Sequence, residues 1–183
     1  MDVTPIRLAA IVAAALALTA APPAAAAGGS YVFAGGTAAE QGQVRRALDA
    51  SSFDFGRVPQ LVTVHIGRGT VSSATPGDVY LNAGLLDAGR FAWGVVQHEF
   101  AHQVDFFLLD DPDREQLRAL FGVGGWWTGA THAQVGCERF ASNFAWAFWP
   151  VAANVMRPRS AQDEAGSIAP AAFRTELYAL LAT

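Results

Sequence analysis

Apolar positions change their spacing partway along the chain, and this change predicts where strands give way to helices. Residues 61–66 and 79–82 are rich in β-branched or alternating apolar positions, which predicts two strands. A turn is expected between them at residues 75–78, and residues 28–36 form a short, turn-rich segment. Residues 91–109 are apolar nearly all round and too long for a strand, so they predict a buried helix.

Further helices are predicted from their start and stop signals. Thr37 and Glu40 have the spacing of a capping box, Pro112 suits the first turn of a helix, and Pro150 ends one. These helices are expected over residues 38–50, 112–121, 133–149 and 170–181. Strands early in the chain and helices late predict a single α+β domain over residues 28–183.

Residues 1–27 have the pattern of a secretory signal peptide. Arg7 supplies a positive start, residues 8–18 form an uncharged apolar run, and residues 25–27 offer small side chains for cleavage before Gly28. The apolar run is shorter than the about 20 residues that a membrane-spanning helix needs. We therefore expect a secreted mature chain without stable membrane association. An uncleaved anchor and a disordered Ala/Pro-rich tail are the alternatives.

Composition excludes some classes of partner. The chain has 183 residues, a formal net charge of −4 and no basic stripe, which argues against a nucleic-acid partner. Its single cysteine cannot form an internal disulfide. Cys137 is therefore expected to be a buried apolar residue or a free thiol. A secreted domain of this size without disulfides depends on its core, and a bound metal would add to its stability.

The candidate chemistry lies in the helix predicted over residues 91–109. His98 and His102 are four residues apart and share one helix face, so their imidazoles can bind one ion. Glu99 lies about 100° further round the helix, an offset that suits a general base acting on metal-held water. Two imidazoles and a carboxylate in an apolar helix cost several kcal/mol unless they find partners. A zinc site with a substrate cleft accounts for all three, and a chance motif with hydrogen-bonded histidines is the alternative.

A zinc hydrolase needs a third protein ligand and an open fourth position. The position six residues after the second histidine is a leucine, and the chain has no second His-Glu-x-x-His motif. His65, His132 and an acid on a later helix remain candidates, and Glu138 is the best of them. The face of its helix carries three small residues, which would let it approach the histidine-bearing helix closely: Ala141, Ser142 and Ala145. A surface glutamate paired with an arginine is the alternative for Glu138.

Two runs of residues together resemble the gluzincin clan of zinc metallopeptidases, and within it the anthrax lethal factor-like and other minimal gluzincin domains. The runs are residues 98–105, His-Glu-Phe-Ala-His-Gln-Val-Asp, and residues 138–145, Glu-Arg-Phe-Ala-Ser-Asn-Phe-Ala. The resemblance implies a zincin-like fold, one zinc ion per chain, peptide-bond hydrolysis and Glu138 as the third ligand. It also implies that residues 79–82 form an edge strand below which an extended peptide lies, with Tyr80 and Asn82 in contact with it.

The chain departs from the resemblance where a tyrosine is expected shortly before the third ligand. That neighbourhood contains His132 instead, six residues before Glu138, and we expect His132 to donate to the oxyanion of the transition state. A loop histidine and a fourth zinc ligand, which would close the site, are the alternatives. Asp105 lies one turn beyond His102, where it could accept a hydrogen bond from the outer nitrogen of a ligand imidazole or form a surface salt bridge.

These residues predict a secreted zinc-dependent endopeptidase that acts on a peptide or protein substrate. In this hypothesis His98, His102 and Glu138 bind zinc, Glu99 is the base and His132 steadies the oxyanion. A secreted binding module stabilised by zinc, a zinc amidase acting on a cell-wall amide, and a metal-binding protein with little activity are the alternatives. A loop with two tryptophans, residues 126–127, is expected to pack on the core rather than to line the cleft.

Overall fold

The computed structural model describes residues 24–26 and 29–182. Within these residues five strands occupy Ala24–Ala26 (β1), Gly29–Gly35 (β2), Val62–Gly67 (β3), Ser73–Thr75 (β4) and Asp78–Asn82 (β5). Six α-helices occupy Ala38–Ala50 (α1), Ala83–Leu86 (α2), Trp93–Leu108 (α3), Asp111–Phe121 (α4), Gly136–Phe148 (α5) and Pro170–Leu180 (α6). Short 3-10 turns lie at Phe55–Arg57, Gly89–Ala92, His132–Gln134 and Glu164–Gly166. The predicted signal peptide, residues 1–27, lies outside the described residues except for β1.

The predicted α+β class is confirmed, because a small mixed sheet comes first and helices make up most of the rest. Every predicted helix is present within a few residues of its expected bounds, and Thr37 and Glu40 form the predicted capping box. The strands predicted over residues 61–66 and 79–82 are β3 and β5. In the part of the chain that the structure describes, no helix is both long and apolar enough to span a membrane.

The sheet has the strand order β1-β2-β3-β5-β4. β2, β3 and β5 are parallel to one another, whereas β1 and β4 run antiparallel to their neighbours. The interpretation of residues 28–36 as turns misses β2, which pairs with β3 from Tyr31 to Gly35. Glycines at both ends of this segment resemble turn signals, but Tyr31 is buried in the core and the pairing with β3 supports an extended backbone.

The prediction that residues 79–82 form the edge of the sheet is wrong. β5 has a neighbour on each side, because the chain folds back at Gly77 and β4 pairs with it. Gln103, fully buried on α3, holds this turn: its side-chain oxygen accepts from the Gly77 N–H at 2.9 Å. Its amide group donates to the carbonyl oxygens of Thr75 and Asp78 at 2.9 and 3.2 Å. The edge strand β4 is therefore tied directly to α3.

Helix α3 connects the sheet to the C-terminal helices. Its Phe100 contacts the rings of Tyr31 and Phe55, with centroids 6.0 and 5.6 Å apart. α3 also packs against α5, where Ala141 and Ala145 are fully buried. Small side chains let two helices approach closely. This packing brings the middle of α3 next to the first turn of α5.

Candidate metal centre

The first turn of α5 is fixed by the loop that precedes it. The backbone N–H groups of Gly136 and Cys137 donate to the carbonyl oxygens of Gly125 and Trp126, both at 2.9 Å. The loop thus satisfies N–H groups that a helix start leaves free. A Cβ atom at Gly136 would lie 2.7 Å from Cε3 of Trp126, so only glycine permits this approach. As a result Glu138, in the same helical turn, has a fixed position.

Four residues from the sequence predictions converge on one point. His98 and His102 lie on one face of α3 with ring centroids 5.0 Å apart, and each residue is almost fully buried. Oε2 of Glu138, on α5, is 3.1 Å from Nε2 of His98 and 3.5 Å from Nε2 of His102. Nε2 of His132, on the 3-10 turn before α5, is 3.0 Å from the same oxygen.

These separations fit donor atoms that share one metal ion. Atoms bound tetrahedrally at the about 2.0–2.2 Å typical of zinc lie about 3.3–3.5 Å from one another. The distances of 3.1 and 3.5 Å from Glu138 to the two imidazoles of α3 are close to that spacing. Two histidines and one glutamate are also a donor set that catalytic zinc sites use, with the fourth position open.

Glu99 lies beside this group of donors. Potential ligand atoms of His98, Glu99 and His102 lie within 4.8 Å of one another. Among the described residues, however, Glu99 forms no hydrogen bond or ion pair with either imidazole, so Glu138 is the better candidate for the third ligand. Burial raises the pKa of Glu99 to about 7, against the charge of His102. A carboxyl group with a pKa near neutrality suits proton exchange.

The charges of His98 and Glu138 also suit metal binding, whereas the charge of His132 suits a proton donor. Burial lowers the pKa of His98, against its hydrogen bond with Glu138, and a neutral imidazole is the form that binds a metal. Burial acts to raise the pKa of Glu138, but hydrogen bonds and charges of His102 and His98 bring it well below its usual range. Burial acts to lower the pKa of His132, but Glu164 and Glu138 raise this pKa above its usual value.

Two residues without a predicted role complete the site. Oγ of Ser142, one turn after Glu138 on α5, lies 3.1 Å from Nδ1 of His98. The Ser142 hydroxyl donates to Oε2 of Glu164 at 2.7 Å, and Oε1 of Glu164 lies 2.5 Å from Nδ1 of His132. Ser142 had a signal in the sequence, its place on the helix face of Glu138. Glu164 had none, because it belongs to a short 3-10 turn without a motif.

The site opens into a cleft of about 450 Å³. Residues 72–76, which include the edge strand β4, form part of its wall, and Phe106 and Trp127 form another part. The rings of Phe106 and Trp127 stack with centroids 5.9 Å apart, and the Arg114 guanidinium lies 5.4 Å from the Trp127 ring. The prediction that both tryptophans pack on the core is right for Trp126, which is buried, and wrong for Trp127, which is 53% exposed.

Asp105 does not hold a ligand imidazole from behind. It is fully buried, and its Oδ1 accepts from Nε of Arg114 at 2.8 Å while its Oδ2 accepts from Nε1 of Trp126 at 3.0 Å. Burial raises the pKa of Asp105, and these two donors oppose that shift. The partners come from α4 and the following loop, which the sequence pattern could not bring to Asp105. Asp105 therefore anchors the loop that carries Trp127 to the cleft.

Replacing Asp105 with alanine is expected to destabilise the protein by about 3 kcal/mol, because it leaves Arg114 and the indole N–H of Trp126 without their buried acceptor. The free energy of unfolding, measured with urea on the metal-free protein, tests this. The matched control is Asp111→Ala, since Asp111 pairs with the same guanidinium at 3.1 Å but its side chain is 95% exposed. Equal losses in the two variants would contradict the anchoring role of Asp105.

Three further residues of the sequence predictions lie away from the site. Tyr80, predicted to contact substrate, stacks on the ring of His65 with centroids 4.7 Å apart. His65, a candidate ligand, pairs with Asp78 at 2.7 Å. Asn82, also predicted to contact substrate, caps α2 by accepting from the Gly84 N–H at 2.8 Å. None of these residues lines the cleft, because β4 covers that side of β5.

Comparisons with protein-family models, with curated proteins and with solved structures found no match. The resemblance to gluzincins therefore depends on the two runs of residues around His98 and Glu138.

Proposed function

We propose that this chain is a secreted zinc-dependent peptidase of the gluzincin type. His98, His102 and Glu138 bind the metal, and Glu99 is the general base. Oε2 of Glu138 lies 3.1 and 3.5 Å from Nε2 of His98 and His102, and the Glu99 carboxylate lies beside these atoms without a hydrogen bond to either imidazole among the described residues. This arrangement supports the proposal most directly. The open cleft with a strand edge in its wall also favours catalysis, since a structural zinc site needs neither feature.

The residues of the site divide the proton transfers of peptide hydrolysis between them. Bound zinc would polarise the scissile carbonyl and lower the pKa of a water molecule. Glu99 takes the proton from that water as its oxygen attacks the carbonyl carbon, and delivers the proton to the leaving amine. His132 donates its Nε2–H to the developing oxyanion, and the carboxylates beside it favour the protonated form that this role requires.

The substrate is proposed to be an extended peptide that adds to the edge strand. Among the described residues β4 pairs with β5 on one side and with no strand on the other, so its other side can hydrogen-bond to a peptide backbone. Gln103 holds the end of this strand against α3 and thereby fixes the distance between the bound peptide and the side chains of His98 and Glu99. Phe106 and Trp127 offer an apolar surface to a side chain of the substrate.

The first experiment is to measure zinc in the mature protein, purified without added metal, and to screen it against a peptide library. We expect about one zinc per chain and cleavage that is lost on chelation and restored by zinc. A protein that holds no zinc even when zinc is offered would overturn the proposal. Zinc without cleavage of any peptide would leave only the metal site and would favour the second candidate function.

The second candidate is a secreted binding module in which zinc only stabilises the fold. It is favoured by one observation, the 3.0 Å between Nε2 of His132 and Oε2 of Glu138, which would suit a fourth ligand. The variant His132→Ala separates the two functions. If His132 is an oxyanion donor, His132→Ala should keep its full zinc content and lose about 100-fold or more in kcat. If His132 closes the site as a ligand, zinc content falls in the same variant.

A further inference from the structure

Both oxygens of the Glu164 carboxylate are used, and each leads to a different histidine of the site. Oε1 lies 2.5 Å from Nδ1 of His132. Oε2 accepts from the Ser142 hydroxyl at 2.7 Å, and Oγ of Ser142 in turn lies 3.1 Å from Nδ1 of His98. One side chain from outside α3 and α5 therefore connects the two imidazoles on their outer sides, away from the proposed metal.

The directions of these hydrogen bonds fix where the imidazoles carry their protons. The hydroxyl of Ser142 has one hydrogen, and a carboxylate oxygen at 2.7 Å is a stronger acceptor than the Met156 sulfur at 3.8 Å. Ser142 then accepts from Nδ1–H of His98, so in the neutral ring the Nε2 lone pair is left for a metal that would be shared with Oε2 of Glu138, 3.1 Å away. Oε1 of Glu164 likewise accepts from Nδ1–H of His132, so Nε2 of that ring also faces the site.

Glu164 is well placed to hold the rings still, because its own backbone is attached to α5. Asn143, which is almost fully buried, donates to the backbone carbonyl of Glu164 at 2.8 Å and to that of Arg139 at 2.8 Å. The next residue, Ala165, is buried, and its turn packs on α5. These contacts hold the turn in addition to the hydrogen bond between Ser142 and the Glu164 carboxylate.

We propose that Glu164 is a positioning residue that orients His98, through Ser142, and His132 directly, so that one carboxylate sets the metal ligand and the oxyanion donor together. The proposal rests on the zinc peptidase function above and adds a residue to it. When the imidazole nitrogen that does not bind the metal loses its hydrogen-bond partner, the ring becomes free to rotate and to change tautomer. This weakens metal binding by about 10- to 100-fold.

The test is the zinc dissociation constant, measured by competition with a chromophoric chelator, for Glu164→Ala, Ser142→Ala and the double variant. Each single variant is expected to bind zinc about 10- to 100-fold more weakly. Because the two residues act on His98 in series, the double variant should bind no more weakly than Glu164→Ala. The control is Glu115→Ala, since Glu115 is exposed and pairs with Arg118 on the surface of α4; its zinc affinity should be unchanged.

Imidazole nitrogen NMR of the zinc-loaded proteins reads the tautomers directly. The wild type should show His98 with its proton on Nδ1 and His132 with protons on both ring nitrogens. Glu164→Ala should lose the hydrogen-bonded Nδ1–H signal of His132, which a role in folding alone would not cause. Wild-type zinc affinity in both Glu164→Ala and Ser142→Ala, or losses that multiply in the double variant, would overturn the proposal. If Glu164→Ala does not fold, unchanged zinc affinity in Ser142→Ala overturns it. A wild type that binds no zinc would instead overturn the proposed function.

Discussion

Replacing Glu99 with glutamine is expected to abolish peptide hydrolysis while zinc content stays at the wild-type level. Glutamine keeps the shape of the side chain but cannot take a proton, and a positioned general base contributes about 100- to 10,000-fold to a rate. Zinc content should not change, because Glu99 forms no hydrogen bond or ion pair with the ligand imidazoles among the described residues. The measurement is kcat on a cleaved peptide, together with elemental analysis of the same sample.

Glu176→Gln serves as the control for this variant, because Glu176 is a half-buried acid whose hydrogen-bond partner is Gln116, away from the cleft. Its kcat should match that of the wild type. Full activity in Glu99→Gln would refute the assignment of the base. Loss of zinc in that variant would instead mean that Glu99 is a ligand, and the third ligand would have to be reassigned.

The second large effect is expected from Glu138→Ala, which should lower zinc affinity by more than about 100-fold. Loss of a residue that only hydrogen-bonds to a metal ligand already lowers metal affinity by about 10- to 100-fold, and Glu138 is proposed to be a ligand itself. Protein purified without added metal should then contain far less than one zinc per chain. The loss follows from the position of Oε2, which lies within 3.5 Å of Nε2 of both His98 and His102. Elemental analysis of the wild type and the variant, purified in parallel, tests this.

The outcomes for Glu138→Ala are distinct from those for Glu99→Gln. Full zinc retained in Glu138→Ala would move the third ligand to His132, the remaining imidazole within reach of this point. The exposed Glu115→Ala variant again controls for the loss of one negative charge. Absence of zinc from both the wild type and Glu138→Ala, even after zinc is offered, would end the peptidase proposal.

The sequence predicts the part of the site that depends on local geometry. His98, Glu99 and His102 are related by helical spacing, so their arrangement follows once α3 is recognised as a helix. Glu138 was the best candidate for the third ligand because small residues follow it on the helix face, and those residues are buried where α5 packs on α3. The structure places Glu138 next to both imidazoles, as that reasoning expected.

Features that depend on distant parts of the chain were missed or misread. β4 has three residues, too few to show a period, so nothing in the sequence corrects the edge position that the resemblance implies for β5. For Asp105 the sequence offers either a ligand imidazole or a surface salt bridge, because His102 is one turn away; its oxygens in fact accept from Arg114 and Trp126 of other elements, in a buried position. Glu164 reaches the site only through the docking of its turn on α5, which no local pattern encodes.

The contact between Gly136 and Trp126 has a consequence for how this protein diverges in evolution. No other residue fits at position 136 while the loop carbonyls cap α5, so a relative that keeps this site is expected to keep glycine two residues before its third ligand. Around Gly124, in the same loop, the described part of the chain places no atom within 4 Å of an added Cβ, so this position can be replaced by larger residues. A signature joining His-Glu-x-x-His to Gly-x-Glu-x-x-x-Ser, which adds Ser142 at its end, should therefore recognise distant relatives more selectively than the histidine motif alone.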